Sequence, residues 1–358
     1  MKKKIIVLIS LISLIIPSNI FALSLSCRSC VLMDIDSGRV LYEKDANNPR
    51  LIASITKIMT AIIAIESGRL DEEVTVGEEV LKMYGSNIYI ELGEKMQLLD
   101  LVYGLMMRSG NDAAVVIANF IGGNEEEFVK MMNLKAKEIG MNNTIFNNSH
   151  GLDEETENKS TAYDMALLSS YAYKNEIYRK ISGTKKYSVQ TDKKSYAWTN
   201  RNKLLFNYKY TTGGKTGYTP SAGKTLVTTA SKDNLNLTAV ALNDGNTYIS
   251  HQTLYEYGFE NFKTYKILDI NKFKIDDAYY KDKIYIKEDF SYPLTEIEKE
   301  KVKVLVKLTK LDNYKDNDEV GEVEVNLDGK NIYTGKVYVT SKVKKKGIIT
   351  RIKEWLFG

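Results

Sequence analysis

The sequence predicts an α/β chain of the α+β kind, with an antiparallel sheet flanked by helices and then a small all-β domain. Three observations carry this expectation. A hairpin pattern near the start and strand patterns between residues 187 and 242 bracket a helical middle, so the first strands are expected to join the later ones. Residues 52–68 read as a helix that is apolar almost all round, the mark of a helix buried inside a domain. Beyond about residue 264 the hydrophobic pattern is period-two only. A length of 358 residues suits two domains, each able to bury a core.

Taken in order, Met1-Lys2-Lys3-Lys4 and the apolar residues 5–16 form a positive n-region and an h-region too short to span a bilayer. Pro17 ends the run and Ile20-Phe21-Ala22 suits cleavage. Residues 1–22 are therefore expected to be a signal peptide, with the mature chain starting near Leu23, outside the cytoplasm. Ser24 and Leu25 precede Cys27 in the wrong order for a lipobox. Cys27 and Cys30 are the only cysteines, and an exported chain would allow them to pair. A separation of three in an extended segment nevertheless suits disulfide geometry poorly.

Residues 31–36, Ser37-Gly38 and residues 39–44 read as a β-hairpin. The apolar helix follows, stopped by Gly68, and residues 71–97 form a glycine-punctuated excursion. Residues 98–108 are helical, Ser109-Gly110-Asn111 break the helix, and residues 112–121 resume it until Gly122-Gly123. Residues 125–139 are amphipathic and closed by Gly140, and Thr161 to Asp164 resembles a capping box opening a helix to about Lys174. Residues 187–189, 211–215, 225–230 and 237–242 read as strands, and residues 248–262 as a closing helix. In the second domain residues 301–306 alternate, and residues 322–327 run into an Asp328-Gly329 hairpin turn. The expected boundaries are residues 23–263 for the first domain and 264–341 for the second.

A formal charge of +4 is small for this length and implies no basic field of the kind that grips nucleic acid. With two cysteines and with His150 and His251 the only histidines, four zinc ligands are not at hand. No metal or cofactor is implied. A Ser-His-Asp triad would have to draw on one of those two histidines.

The chemistry starts at Ser54 and Lys57, one turn apart near the start of the apolar helix, where an amine can reach a hydroxyl. A desolvated lysine pairs with something or loses its proton. A serine beside it at a helix N-terminus is an arrangement for nucleophilic catalysis. Ser-x-x-Lys also occurs at Ser182/Lys185, Ser221/Lys224 and Ser341/Lys344, but only Ser54 opens a buried helix. Two further signals follow in order, Ser109-Gly110-Asn111 at a break between helices and Lys215-Thr216-Gly217 on a strand. Ser-x-x-Lys, Ser-x-Asn and Lys-Thr-Gly in this order form the active-site set of penicillin-recognising serine enzymes.

The stretches VLMDIDSGRVLYEKDAN, ASITKIMTAIIAIESG, LVYGLMMRSGNDAAVVIA, NNSHGLD, STAYDMALLSSYA and GGKTGYTPSAGKTLVTTA resemble secreted D-alanyl-D-alanine carboxypeptidases, the low-molecular-mass penicillin-binding proteins. The resemblance covers about residues 29–262 and, more loosely, the β domain and tail. It implies a β-lactamase/DD-peptidase-like fold and a serine peptidase acting on peptidoglycan stem peptides that end in D-Ala-D-Ala, inhibited by β-lactam antibiotics. It implies Ser54 as nucleophile and Lys57 as proton acceptor, its pKa lowered by burial and by Lys215. Ser109 is then the proton relay to the leaving amine and Asn111 the partner of the substrate amide. Lys215 and Thr216 bind the terminal carboxylate, and the backbone N–H groups of Ser54 and of Tyr218, after Gly217, form the oxyanion hole. Read alone, Lys215 is a solvated strand lysine, Asn111 a helix N-cap, and His150 a residue ordering a loop near the site.

One departure stands out. Some members carry an arginine after the Lys-Thr-Gly strand to hold the carboxylate, and none occurs here between Arg201 and Arg351. Lys215, Thr216 and His251 are left to serve. A β-lactamase shares the motifs, but no Glu-x-x-Leu-Asn segment lies between Asn111 and Lys215. A non-catalytic wall-binding protein of the same fold would not require the intact motif set. The tail, residues 342–358, holds six basic residues against Glu354, and Ile348, Ile352, Trp355 and Leu356 share one helical stripe. It is expected to lie as an amphipathic helix on the membrane surface, attaching an extracytoplasmic enzyme peripherally.

Overall fold

The computed structural model describes residues 23–340; the signal-peptide and tail expectations fall outside these residues. The first domain is built on a five-stranded antiparallel sheet. Its strands are β1 (Cys27–Asp34), β2 (Val40–Lys44), β5 (Thr211–Thr219), β6 (Gly223–Lys232) and β7 (Leu235–Asp244), in the order β2-β1-β7-β6-β5. The early hairpin thus joins the late strands, Val31 lying opposite Val240.

Both sheet faces are covered, and alternation along each strand sorts side chains between them. Val31, Met33, Val227 and Val240 turn toward the helical core, where they meet Ile58, Ile62 and Leu105. Leu32, Leu226 and Ala239 turn the other way, against Leu254 and Tyr255. The helical side holds α1 (Lys57–Glu66), α2 (Leu98–Arg108), α3 (Asn111–Gly122), α4 (Glu125–Ile139), α5 (Ala162–Tyr173) and α6 (Glu176–Gly183). The far side is closed by α7 (Thr247–Asn261).

The apolar stretch expected as one helix is divided. Ala53–Thr56 form a single 3-10 turn, and α1 begins only at Lys57. Ala53 sits in the left-handed region at φ 50°, which a continuous α-helix does not admit. Cys27 and Cys30 are paired, with Cα atoms 6.1 Å apart, where regular extended geometry argued against it. Opposite Arg28, between them, stands Asn243 at φ 50°, so the ladder is irregular there. A separate hairpin, β3 (Lys186–Gln190) and β4 (Ser195–Thr199), stands outside the main sheet and packs Trp198 and Tyr196 into the helical core.

The second domain pairs β8 (Lys263–Leu268) with β9 (Phe290–Leu294). It then forms a four-stranded sheet from β10 (Val302–Leu308), β11 (Glu319–Leu327), β12 (Lys330–Val339) and the short strand Ile284–Tyr285. Asp328 and Gly329 both have positive φ, 49° and 81°, as a two-residue type I′ hairpin turn requires. Arg39 ties the domains together, donating to Pro293 O and Glu298 and lying 5.2 Å from the Phe262 and Tyr292 ring centres.

Candidate active site

The 3-10 turn at Ala53–Thr56 projects Ser54 partly into solvent, while Lys57, three residues on, is fully buried. Lys57 Nζ lies 3.1 Å from Ser54 Oγ and 2.7 Å from Asn111 Oδ1, and it also donates to His150 O. Asn111 opens α3, where its side-chain amide donates to Tyr84 O at 2.6 Å. The break read at Ser109-Gly110-Asn111 is a left-handed Ser109, φ 66°, capping α2. That conformation turns its hydroxyl to Lys215 Nζ, 3.0 Å away.

Lys215 is buried on β5, the edge strand of the sheet, and also donates to Thr216 O at 2.6 Å. Gly217 brings β5 against the 3-10 turn: a Cβ there would stand 3.0 Å from Ser54 N and 2.4 Å from Thr225 Oγ1. Only a residue without a side chain lets the strand edge approach the Ser54 amide so closely. Thr225, on β6, donates to Ile52 O at 3.0 Å and locks the turn from beneath.

Ser54, Ser109, Thr216, Gly217 and Tyr218 line one open cleft, with Arg201 on its wall. Arg201 donates to Ser86 Oγ at 2.7 Å. Sequence reasoning passed over Arg201 because it looked for an arginine after Lys215; this one reaches the cleft from the segment before β5. Its only signal was its place in Asn200-Arg201-Asn202, whose two asparagines are buried and cap the following turn.

The electrostatics follow from burial. Lys57 is held well below its ordinary pKa by desolvation first and by the Lys215 and Arg201 charges, with Asp112 opposing. Lys215 is pulled down to about 7 by burial and by Arg201. His150 falls to about 3, through burial and then Lys57, so its ring stays neutral. What His150 gives the site is its carbonyl, while its Nδ1 accepts from Leu152 N at 3.0 Å. A lysine whose charged form is disfavoured, set beside a serine hydroxyl, can do the chemistry of a general base beside a nucleophile.

His251 is not brought to the cleft. It is buried on α7, across the sheet from Ser54, where Nδ1 shares a 2.7 Å hydrogen bond with Thr228 Oγ1. The carboxylate role kept open for it by the missing arginine has no geometric support; Arg201, not His251, lines the cleft. Among the described residues no group of three His, Cys, Asp or Glu side chains is arranged to hold a metal ion.

A family profile described as D-alanyl-D-alanine carboxypeptidase matches residues 18–246, and one described as the C-terminal domain of penicillin-binding protein 5 matches residues 262–345. Among curated relatives, D-alanyl-D-alanine carboxypeptidase DacF of Bacillus subtilis is 34% identical over 349 residues, 91% of this chain and 88% of its own. DacA of Haemophilus influenzae is 30% identical over 357 residues, 93% of this chain and 89% of its own. The solved penicillin-binding protein 5 from Haemophilus influenzae superposes with a TM-score of 0.74 at 29% identity, covering 90% of this chain and 98% of that one. DacD from Francisella tularensis gives 0.70 at 26% identity, covering 97% and 98%. With its motifs gathered in one cleft and both domains matched, this chain belongs to the D-alanyl-D-alanine carboxypeptidase family of serine hydrolases.

Proposed function

We propose that the enzyme removes the terminal D-alanine from peptidoglycan stem peptides through an acyl-enzyme on Ser54, with Lys57 as general base. The observation that carries this is the surroundings of Lys57 Nζ. A neutral amine has two N–H groups and one lone pair. Asn111 Oδ1 and His150 O accept the two N–H groups, which leaves the lone pair for the proton of Ser54 Oγ.

Ser54 Oγ attacks the carbonyl carbon of the penultimate D-alanine, and its proton passes to Lys57. The oxyanion sits between the N–H groups of Ser54 and Tyr218, a reading supported by the close approach of Gly217 to Ser54 N. Collapse breaks the C–N bond. Ser109, held by Lys215, relays the proton taken up by Lys57 to the leaving amine, which restores the Lys57 lone pair, while Asn111 bonds the substrate amide. The departing carboxylate is held by Thr216, Lys215 and, in this reading, Arg201. An approaching carboxylate raises the Lys215 pKa back toward the charged form, so binding itself charges the subsite. Water then hydrolyses the ester. A β-lactam enters the same cleft and acylates Ser54, and the adduct leaves slowly.

Residues 23–263 form the catalytic unit in this reading and residues 264–341 a small all-β domain. Residues 1–22 direct export, and residues 342–358 hold the mature enzyme on the wall-facing surface of the cell membrane. Incubation with a penicillin followed by peptide mass mapping tests the assignment. The adduct is expected on the peptide containing residues 52–57, and a label elsewhere, or none, sinks it.

A further inference from the structure

Asn111 can serve Lys57 only if its own side chain is held still, and what holds it is an irregular loop. The Asn111 backbone N–H donates to Ser86 O at 2.7 Å and its side-chain amide to Tyr84 O at 2.6 Å. Ser86 Oγ, in the same loop, accepts from Arg201. Residues 84–90 have no helix or strand of their own, and Tyr89 stands at φ 63° with an exposed ring. A segment with no ladder hydrogen bonds must satisfy its amides elsewhere.

It satisfies them on one carboxylate. Asp112, buried and next to Asn111 in the chain, accepts from Ile88 N at 3.0 Å, Tyr89 N at 2.7 Å and Ile90 N at 3.3 Å. A fourth N–H comes from Ala113 at 2.9 Å, and Asn87 Oδ1 receives the Asp112 amide at 3.2 Å. Three consecutive loop amides fold round a single anion, the way backbone nests hold anions. We propose that Asp112 is a positioning residue for acylation: its carboxylate gathers the 88–90 backbone and thereby fixes the carbonyls that aim Asn111 at Lys57.

The proposal rests on the reading of Lys57 as base, and it adds a charge effect. Around Lys57 stand Lys215 from β5, Arg201 before β5, His150 from the loop after α4, and Asp112 from α3, the anion of the set. Asp112 opposes the cations and keeps the lysine pKa from falling further. Tyr196 from β4 also feels the Asp112 charge. Removing that charge should move the acid limb of acylation to lower pH, which mere loosening of a loop does not do.

The test compares wild type, Asp112→Asn and Asp112→Glu by penicillin acylation rate against pH, with circular dichroism and backbone hydrogen exchange. In Asp112→Asn the new amide turns a donor toward N–H donors. Acylation is expected to fall about 10- to 100-fold, the scale of an ångström-size misplacement. Exchange at residues 88–90 should accelerate and the acid limb shift down. In Asp112→Glu the charge stays but the carboxylate is displaced, so the rate falls while the limb stays put. A folded variant of either kind acylating at the wild-type rate overturns the proposal. If neither folds, exchange in the wild type decides: amides 88–90 must be as protected as the hydrogen-bonded amides inside α3, and rapid exchange there refutes the clamp. Failure of wild type itself to label at Ser54 would instead strike the underlying reading, so the two failures are distinct.

Discussion

Lys57 is a cation-forming group placed where a cation is costly. Nothing acidic touches its Nζ; its neighbours are the Ser54 hydroxyl, an amide oxygen and a backbone carbonyl, and Lys215 stands nearby as a like charge. Burial of this kind favours the neutral form of such a lysine. Replacing it with alanine is expected to slow acylation of Ser54 by about 10²–10⁴, the usual worth of a positioned general base. The pH dependence supplies the sign. Wild-type acylation falls as pH drops through the lowered Lys57 pKa, because protonation consumes the lone pair; the residual rate of Lys57→Ala lacks that limb. Stopped-flow acylation, with circular dichroism to confirm folding, measures both. A folded Lys57→Ala enzyme at near wild-type rate places the base elsewhere.

The 3-10 turn carrying Ser54 is braced by the loop that follows α4. Gly151 has φ 86°, and a Cβ on it would stand 2.0 Å from Ala53 O, inside any tolerable contact. The same loop supplies the acceptor for Thr60 Oγ1, Ser149 O at 2.6 Å. Gly151→Ala combines left-handed strain with a backbone clash, so a loss of about 1–3 kcal/mol is expected. Denaturant unfolding and acylation should suffer together; a variant with wild-type stability would show that the loop does not brace the turn. Elements of this kind explain what the sequence did and did not disclose. The 125–139 helix was legible to the residue because Asn124 accepts from Glu127 N and Gly140 turns left-handed at its ends. The start of α1 was not, since nothing marks an alanine as left-handed. His251 was misplaced because helical periodicity reveals which residues share a face but not which side of a sheet the helix covers. Arg201 was invisible for a related reason: its reach to the cleft depends on how β3 and β4 dock the preceding segment.

At the scale of the molecule the question is where the enzyme works. Among the described residues no helix is long and apolar enough to cross a membrane. The proposed attachment rests on the composition of residues 342–358, whose basic residues each contribute about 1 kcal/mol near an anionic surface. Deleting this segment is expected to move the mature protein from the membrane to the soluble fraction with penicillin binding unchanged; continued sedimentation with membranes would put the anchor elsewhere. The sheet order has a bearing on time as well as place. Cys27 lies opposite Asp244, so the first strand of the chain waits for the last strand of its sheet. Pairings this remote are slow to close, because loop entropy is lost before the contacts return it. A growing chain carries Ser54 early but lacks β5, the wall that completes its surroundings, until residues 211–219 have been made. The seam between the two ends of the first domain is thus expected to close late, and Ser54 lacks its full surroundings until almost the whole of that domain has been made.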